Sequence, residues 1–369
     1  MNSRKFIGTA ICAILALAAS SAVTLGRDDP AAHRLIPGDA EESPAMDSGM
    51  AMDQAQGSDS RNPSCCNPGC CNPGCCQRCY CPRWTASADF IILDRVGSVD
   101  QTLVEEVPIG ATAPPSIPLL NANAFRQGFH GGPRLDLIRH GDCCYDLELM
   151  YFQIDGWDSG RTVLDSRSLQ FSAPGGFIFP NFGADMEWDY ASKLYNAEIN
   201  VQWNPCCRVT MLAGFRWVEL RENLEGALAP STLEPFWNTN TKNNLYGFQI
   251  GADGKIWDCG CFSVDGLVKA GIFGNHAEQL TAANDGTTMG VFGASTNHTA
   301  FLGEVGLQCK YQVTCSLTLR AGYEAIWLQG VALAPGQIQE TNVNTNEIGI
   351  NSNSGVFYHG ATAGFEYSF

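Results

Sequence analysis

The sequence of 369 residues has few charged side chains, few basic residues and no long apolar run in its main body. Charged residues make up 16% of the chain, below the roughly 25% of an ordinary soluble domain. Lysine and arginine number 22 against 38 acidic residues, giving a net charge of −16, which excludes the broad basic surface of a nucleic-acid-binding protein. Beyond the N-terminus no stretch reaches the about 18 apolar residues of a membrane-spanning helix. With a mean hydropathy of −0.08, the chain is not a bundle of such helices.

The first residues have the pattern of a secretory signal peptide. Arg4 and Lys5 precede a short apolar run over residues 6–17, and small residues follow it up to Ala22. A basic start, a short apolar core and a small-residue exit are typical of a cleaved export signal. An N-terminal anchor helix, the alternative, requires a longer apolar run. We therefore predict a signal peptide over residues 1–22.

Residues 23–83 form a cysteine-rich segment with no periodic apolar pattern, which predicts disorder. The chain has seventeen cysteines, and this number indicates an oxidising compartment or metal binding. Disulfide pairing is the expected state of the thiols in this segment. Zinc binding is an alternative for which only Cys76 and Cys79 have the spacing, and cross-linking to an envelope component is another; we expect no metal or other cofactor. The cysteines of the segment are Cys65, Cys66, Cys70, Cys71, Cys75, Cys76, Cys79 and Cys81.

From residue 84 to the C-terminus, apolar and polar residues alternate with a period of two, which indicates β-strands. In one segment, for example, Phe248 and Ile250 lie on one face and Gln249 and Asp253 on the other. The alternating segments are about 10–15 residues long, longer than the strands of soluble domains and long enough to cross a bilayer at a tilt. They run approximately over residues 84–95, 125–140, 143–155, 191–203, 207–221, 244–257, 261–274, 299–311, 315–328 and 355–369.

These segments predict an all-β fold: an up-and-down antiparallel transmembrane β-barrel over residues 84–369. It has ten strands, or twelve if residues 156–190 contain a hairpin, and a soluble β-sandwich is the alternative fold. Aromatic residues near the strand ends favour the barrel, because belts of amphipathic rings mark the two bilayer interfaces. One belt contains Trp84, Trp203, Trp257 and Tyr311, and the other contains Trp157, Trp217 and Trp327.

Short and long connections alternate along the predicted barrel. In outer-membrane barrels the short turns are periplasmic and the long loops are outside, so an even strand count places the cysteine-rich segment in the periplasm. The long, polar connections fall at residues 96–124, 156–190, 222–243, 275–298 and 329–354. Cysteines in the short turns are expected to pair as staples or, alternatively, to attach the barrel to the cell wall. They are Cys143, Cys144, Cys206, Cys207, Cys259, Cys261 and Cys315.

Nearly every charge in the predicted strands falls on one alternate face, which in a barrel is the lumen. Because a ten-stranded barrel is narrow, these charges must pair or be hydrated. A closed, salt-bridged interior and a narrow pore for ions or small solutes are the two alternatives. The predicted pore-lining residues are Asp89, Arg134, Asp136, Asp146, Glu148, Glu198, Arg216, Asp253, Lys255, Asp265, Lys269, Glu304, Lys310, Arg320, Glu324 and Glu366.

The long connections are strongly acidic, with fifteen Asp or Glu residues against the three basic residues Arg161, Arg167 and Lys242. An acidic outer face attracts cations, including divalent ions that link carboxylates to lipopolysaccharide phosphates. We therefore expect contacts with outer-membrane lipid and lipopolysaccharide, and a preference for cations in any pore.

The chain ends in the alternating aromatic residues Phe365, Tyr367 and Phe369. By strand parity all three side chains face lipid. This ending resembles the C-terminal strand by which outer-membrane barrels are recognised during assembly, and it implies the barrel assembly machinery as a partner.

Three stretches carry a resemblance to a known family: residues 84–95, 192–200 and 212–222. They resemble the porin-like outer-membrane β-barrels of Planctomycetes, which are related to the pore-forming outer-membrane family of Legionella. The resemblance covers residues 84–369 and implies an outer-membrane barrel, often pore-forming and without a defined substrate. The cysteine-rich side departs from most porins. It leaves open a structural role as an anchor cross-linked to the cell wall or to other cysteine-rich envelope proteins.

Sequence signals for catalysis are weak. Ten-stranded outer-membrane proteases use Asp/His pairs at their outer rim. In this chain His276 and His298 flank a long connection that contains Asp285, but no family motif surrounds them. Glycine-rich stretches such as residues 271–274 lack the lysine of a phosphate-binding loop. We expect neither an enzyme nor a nucleotide-binding protein.

Overall fold

Ten antiparallel strands close into a ring. The structure, a computed structural model, describes residues 82–97, 99–106, 116–141, 145–164, 169–174, 177–178, 185–206, 208–229, 236–284 and 289–369. The predicted signal peptide and the cysteine-rich segment up to residue 81 lie outside the described residues. The barrel strands are β1 (Trp84–Val96), β2 (Phe129–His140), β3 (Tyr145–Val163), β4 (Asp185–Cys206), β5 (Val209–Ala229), β6 (Phe236–Cys259), β7 (Phe262–Asn284), β8 (Met289–Gln312), β9 (Leu317–Val331) and β10 (Ser354–Ser368).

Each barrel strand pairs with its sequence neighbours, and the ring closes between β1 and β10. At the closure Asp89 lies opposite Gly364, and on the other side of β1 the same residue lies opposite Arg134 of β2. The predicted up-and-down barrel of ten strands is confirmed. No helix in the described part of the chain is long and apolar enough to cross a membrane.

The period-two alternation of the sequence separates an apolar outer face from a polar interior in the half of the ring nearest the short turns. Phe248 is 76% exposed, whereas Gln249, the next residue, is 2% exposed. Ile272, opposite Phe248 on β7, is also outward and exposed. A closed ring pairs its backbone groups internally, and together with this apolar exterior it has the form of a barrel embedded in lipid.

Aromatic residues on the outer face mark the short-turn end of the ring. Trp203, Trp257 and Tyr311 are exposed there, as the first predicted belt requires. The second predicted belt is wrong in one member, because Trp157 is fully buried inside the ring. The register of β3 shifts between Ile154 and Trp157, and a bulge of this kind reverses which face the following residues occupy.

The C-terminal strand presents its alternate aromatic residues to the outside, as its parity predicts. Phe365, Tyr367 and Phe369 are exposed, and the ring of Tyr367 stacks on that of Phe369 with centroids 6.0 Å apart. The backbones of Phe369 and Trp84 exchange two hydrogen bonds of 2.9 Å, so the chain end completes the ring. Recognition of this strand by the assembly machinery stays a prediction.

Strands β3–β8 are longer than the sequence predicts, with 19–24 residues each against 12–15 in β1, β2, β9 and β10. The predicted connections 156–190, 222–243 and 275–298 are therefore largely strand. Alternation continues there with its polarity reversed: Leu224 is fully buried inside the ring, whereas Glu225 is exposed outside. We call these extensions the tall wall; it comprises residues 155–163, 185–193, 221–229, 236–244, 276–284 and 289–298.

The connections β1–β2 and β3–β4 contribute to an apolar cluster with the tall wall. Their strands form a separate four-stranded sheet of Thr102–Glu106, Ile117–Asn121, Leu169–Phe171 and Phe177–Ile178. Phe171 meets the Trp188 ring of the wall edge-on, with centroids 5.4 Å apart, and Leu103 and Leu224 belong to the same buried cluster. This contact explains the reversed polarity, because the inner face of the wall covers apolar side chains rather than charged ones.

Arginine at Ile272 is expected to destabilise the barrel in a bilayer by about 2–4 kcal/mol, because it places a cation on the lipid-facing side of β7. Val291→Arg is the matched control, since Val291 is also outward and exposed but lies in the tall wall; its effect is expected to stay within about 0.5 kcal/mol. Urea unfolding in phosphatidylcholine vesicles measures both variants. Equal losses would contradict the assignment of Ile272 to the lipid-facing surface.

Candidate functional site in the barrel lumen

The lumen holds a buried network of ion pairs built from alternate strand positions. Lys269 of β7 donates to Glu198 of β4 at 2.9 Å, and Arg216 of β5 lies 3.3 Å from the same carboxylate. Arg216 also donates to Glu304 of β8 at 2.7 Å. All four side chains are almost completely buried. Two carboxylates balance two cations, which matters because a buried charge without a partner is strongly destabilising.

Amide side chains complete the surroundings of Glu198. Gln249 donates to it at 2.6 Å, Asn200 at 3.1 Å and Asn196 at 3.2 Å. These amides occupy inward positions of β4 and β6, so strand parity is the sequence signal that locates them. Because both carboxylate oxygens accept several hydrogen bonds, Glu198 is held in one geometry.

A second set of ion pairs joins β9 to the strands around the closure. The guanidinium of Arg320 donates to both oxygens of Asp89, at 2.9 and 3.1 Å from Nε, and lies 3.3 Å from Glu366. Arg134 of β2 donates to Glu324 of β9 at 2.6 Å. With the first set, these contacts connect side chains from most of the barrel strands across the lumen. We refer to the two sets together as the ion network.

A cavity of about 240 Å³ lies between the ion network and the short turns; we call it the vestibule. Asp136, Asp253 and Asp265 are among its lining residues. Asp265 pairs with Lys310 at 2.9 Å, whereas Asp136 and Asp253 form no ion pair with any described residue. The vestibule therefore has a net acidic character and room for water or small cations.

An apolar belt fills the lumen beyond the ion network. Within it the ring of Trp157 packs against Tyr358 with centroids 5.2 Å apart, and the indole N–H donates to the carbonyl of Leu93 at 3.2 Å. Only Leu333 of the belt lies outside the barrel strands. The belt consists of Ile91, Leu93, Met150, Phe152, Ile154, Trp157, Leu194, Val218, Leu220, Leu245, Phe273, Ala300, Leu302, Ile326, Leu328, Val331, Leu333, Val356 and Tyr358. The charges that the sequence assigns to the inward face of the strands are therefore absent at this level of the described lumen, where the inward side chains are apolar.

Residues 331–338, which we call the capping segment, are fully buried at the long-connection side of the belt. Asn243 of β6 exchanges two hydrogen bonds with the backbone of Ala332, both 2.8 Å long. The Ala334 N–H donates to Glu222 at 2.9 Å, and Glu222 also pairs with Arg95. Glu222 is one of the acidic residues that are predicted to lie in the long connections of the outer face. That assignment is wrong for this residue, because its charge is neutralised inside the ring.

Most of the predicted lumen residues do lie inside the ring. Asp146, 3.2 Å from His140, and Lys255, 3.5 Å from Asp258, lie instead near the rim at the short turns. A role in a conducting pore stays a prediction for all of them. Those inside are Asp89, Arg134, Asp136, Glu148, Glu198, Arg216, Asp253, Asp265, Lys269, Glu304, Lys310, Arg320, Glu324 and Glu366.

Few of the predicted disulfide positions fall in the described part of the chain. Cys259 has a free, exposed thiol and therefore remains a candidate for cross-linking. The thiol of the lipid-facing Cys309 is also free but only partly exposed. Cys261 and Cys315 are not free. Disulfide pairing elsewhere stays a prediction, since Cys65, Cys66, Cys70, Cys71, Cys75, Cys76, Cys79, Cys81, Cys143, Cys144, Cys207 and the side chain of Cys206 lie outside the described residues.

The histidines singled out in the sequence lie in the tall wall. The His276 ring contacts Asn297 at 2.9 Å and Glu278 at 3.3 Å, and His298 is on the neighbouring strand. Asp285 lies outside the described residues. Within the described ranges, no group of three or more His, Cys, Asp or Glu side chains is arranged to hold a metal ion.

Comparison with known proteins agrees with this architecture. The model of the beta barrel porin-7 family (BBP7) matches residues 179–361, slightly less than half of the chain. No curated protein matches the sequence. The closed ring and its apolar outer face have the form of an outer-membrane β-barrel, and the match to a porin family model over residues 179–361 supports a porin-like barrel. The narrower relation to the barrels of Planctomycetes and Legionella stays a prediction.

Solved structures show distant likenesses in fold. The outer-membrane protease OmpT from Escherichia coli is 10% identical, with 78% of this chain and 96% of that chain covered and a TM-score of 0.45. The toluene transporter TbuX of Ralstonia pickettii is 10% identical over 78% of this chain and 77% of that chain, with a TM-score of 0.32. For the toluene transporter TodX of P. putida the identity is 10%, the coverage 78% and 90%, and the TM-score 0.29. Likenesses at these scores say nothing about the activity of this chain.

Proposed function

We propose that the protein is a membrane scaffold whose lumen is closed in the folded state and which holds the tall wall outside the outer membrane. The observation that carries this proposal is the continuous packing of the lumen from the ion network through the apolar belt to the capping segment. Nearly all of the belt comes from the barrel strands themselves, so its closure does not depend on a loop. The proposal includes no catalytic role.

The physical basis is the width of the ring and the chemistry of its filling. A ring of about ten strands is near the size at which inward side chains fill the interior. An ion that crosses the lumen must leave its hydration shell within an apolar layer, where an unpaired charge is unfavourable by several kcal/mol, and apolar constrictions of this kind exclude water. Conduction would therefore require the belt residues to move apart.

A narrow, cation-preferring pore is the second candidate, and the vestibule favours it. Asp136 and Asp253 line this cavity with no ion pair to a described residue, which gives an acidic entrance to the lumen. In this alternative the capping segment, held by Asn243 and Glu222, acts as the gate. The field of the acidic entrance would favour cations over anions.

Planar-bilayer recording of a shortened variant distinguishes the two candidates. Val331 lies opposite Ser354, so residues 332–353 can be replaced by a two-residue Asn-Gly turn that joins β9 to β10 as a hairpin. We expect neither the wild type nor this variant to conduct, because the strand-borne belt remains. Cation-selective steps in the shortened variant alone would establish the gated pore, and steps in the wild type would reject a closed lumen. Heat-modifiable gel mobility verifies that both chains are folded.

The orientation that we propose places the short turns in the periplasm and the tall wall outside. Cys259, the last residue of β6 beside a short turn, has an exposed thiol, and its labelling therefore reports the orientation. A membrane-impermeant maleimide is expected to modify Cys259 only after the outer membrane is permeabilised. The modified peptide is identified by mass spectrometry, with Cys259→Ser as the control. Modification in intact cells would reverse the proposed orientation.

A further inference from the structure

One edge of the tall wall has no partner strand among the described residues. Strand β8 pairs with β7 without a register shift from Met289 to Tyr311. On its other side it pairs with β9 only from Phe301 onwards, opposite Gln329. Residues 289–298 therefore form the last strand of an open sheet on that side, and we call them the free edge.

The backbone groups of alternate residues on the free edge point away from β7. At the far end of β8 the N–H of Gln312 donates to Cys261, on the β7 side, at 2.8 Å. The next N–H, that of Val313, donates to Leu317 of β9 at 2.9 Å. Successive residues of a strand use opposite edges, and β8 has no register shift against either neighbour. The residues that direct their N–H and C=O groups to the free edge are therefore the odd-numbered Met289, Val291, Gly293, Ser295 and Asn297.

The free edge lacks the features by which proteins protect exposed strand edges. Lysine or other charged side chains, proline and bulges normally prevent pairing with a second chain. Residues 289–298 contain no Asp, Glu, Lys, Arg or Pro, and their pairing with β7 is regular. The outward side chains of Met289 and Val291 are 64% and 60% exposed. Nothing in this segment therefore opposes the addition of a strand.

The opposite edge of the tall wall, formed by β3, is protected. Its register shifts between Ile154 and Trp157, and it carries the charged residues Asp155 and Arg161. Arg161 donates to the carbonyl of Ala124 at 2.6 and 3.0 Å, which holds the β1–β2 connection beside this edge. The two edges of one sheet thus differ in every protective feature, and this difference favours a partner for the free edge.

The free edge borders water and has space beside it. Open sheet edges do not occur in the hydrocarbon of a bilayer, so these residues lie beyond the membrane, as the proposed function requires of the tall wall. A cavity of about 440 Å³ lies at the foot of the edge, where β9 ends. Its lining includes Thr299, Gln329, Gly330 and Asn353. A strand along the free edge can therefore occupy the space above β9.

We propose that the free edge binds an extended polypeptide strand of another protein, which joins the tall wall antiparallel to β8. A row of alternating N–H and C=O groups is complementary to a second row of the same kind, so the ligand is a polypeptide rather than a lipid or a glycan. The exposed neighbours are apolar at Val291 and hydroxyl-bearing at Ser295, so an uncharged strand rich in valine and threonine fits.

A second copy of the chain in the same membrane does not fit the free edge. Antiparallel pairing of two β8 edges about a twofold axis would reverse one barrel relative to the membrane. Pairing of the free edge with the β3 edge of a neighbouring copy meets the bulge and the charges that protect that edge. The partner is therefore a different protein, and the proposal rests on the position of the tall wall outside the bilayer but not on a closed lumen.

Fluorescence anisotropy with the full-length protein in detergent micelles tests the site. The probe is a fluorescein-labelled peptide of alternating threonine and valine, as long as the free edge, with a lysine at each end for solubility. Ser295→Pro removes one free N–H but no hydrogen bond to β7, and it is expected to weaken binding by about 10- to 100-fold, because a peptide carbonyl loses its donor. Ser295→Ala retains the N–H and is the matched control, with unchanged affinity. Heat-modifiable gel mobility verifies that both variants are folded.

Hydrogen exchange followed by mass spectrometry tests the free edge without a substitution. In the protein alone, about half of the amides of residues 289–298 are expected to exchange rapidly, because alternate N–H groups have no acceptor. The probe peptide is expected to slow this exchange. The amides of residues 276–284 of β7, which are paired on both sides, are the internal control and are expected to stay unchanged.

Three results would overturn the proposal. The first is equal binding of the probe to Ser295→Pro and to the wild type. The second is full protection of residues 289–298 in the protein alone, which would mean that the chain itself covers the edge. The third is tight binding of the same peptide after N-methylation of every residue, since that peptide keeps its side chains but has no backbone donor. Conductance of the wild type would reject the closed lumen and leave these titrations unaffected.

Discussion

Replacing Arg216 by methionine is expected to lower the free energy of unfolding by about 3–5 kcal/mol, the typical loss when one partner is removed from a buried ion pair. Arg216 lies 3.3 Å from Glu198 and donates to Glu304 at 2.7 Å. Without it, two buried carboxylates share Lys269 alone. Urea unfolding in detergent micelles, followed by the loss of heat-modifiable gel mobility, measures the change.

A second substitution tests whether charge balance is the cause. The double variant R216M/E304Q removes one cation and one carboxylate, so the remaining Glu198 and Lys269 form a neutral pair at 2.9 Å. We expect it to be clearly more stable than R216M alone. Lys255→Met is the surface control, since the side chain of Lys255 pairs with Asp258 at the rim; its effect should stay below about 1 kcal/mol. A double variant less stable than R216M would show that the lost packing of Arg216, and not its charge, dominates.

Trp157→Ala is expected to destabilise the barrel by about 3–5 kcal/mol, as for other fully buried large side chains. Its ring packs on Tyr358, and its N–H donates to the Leu93 carbonyl. Alanine would leave a cavity in the belt and an acceptor without its donor. The same urea series measures the loss.

Trp257→Ala provides the comparison within the same residue type. Trp257 is exposed on the outer face near the short turns, so its loss removes an interface contact but opens no cavity inside the ring. We expect less than half the destabilisation of Trp157→Ala. If the two variants lose equal stability, the belt is not a packed core. Single-channel recording of Trp157→Ala then shows whether loosening the belt admits ions.

The strand count and the lipid-facing surface could be predicted because they depend on a local pattern. Where an apolar residue alternates with a polar one, as Phe248 does with Gln249, parity assigns the apolar residue to the lipid and the polar one to the lumen. The same rule located Glu198, Arg216 and Lys269 on the inner face. Which of them pair could not be read from the sequence, because the partners lie on strands that are close only after the ring closes.

The apolar belt and the tall wall escaped prediction for different reasons. At the belt, inward residues such as Ile326 and Leu328 are as apolar as their outward neighbours, so parity gives no contrast. In the tall wall the contrast exists but is reversed, as at Leu224 and Glu225. The start of the wall is marked in the sequence by the position at which the inward residues change from polar to apolar. The buried position of Trp157 could not be predicted, because it depends on a bulge in β3 that the sequence does not mark.

The unequal strand lengths make the long-connection end of the barrel asymmetric. Strands β4–β8 have 21–24 residues each, whereas β9, β10, β1 and β2 have 12–15. The exposed tip at residues 344–347 follows one of these short strands. A peptide epitope grafted at this tip would therefore be displayed towards the side of the barrel that has the short strands.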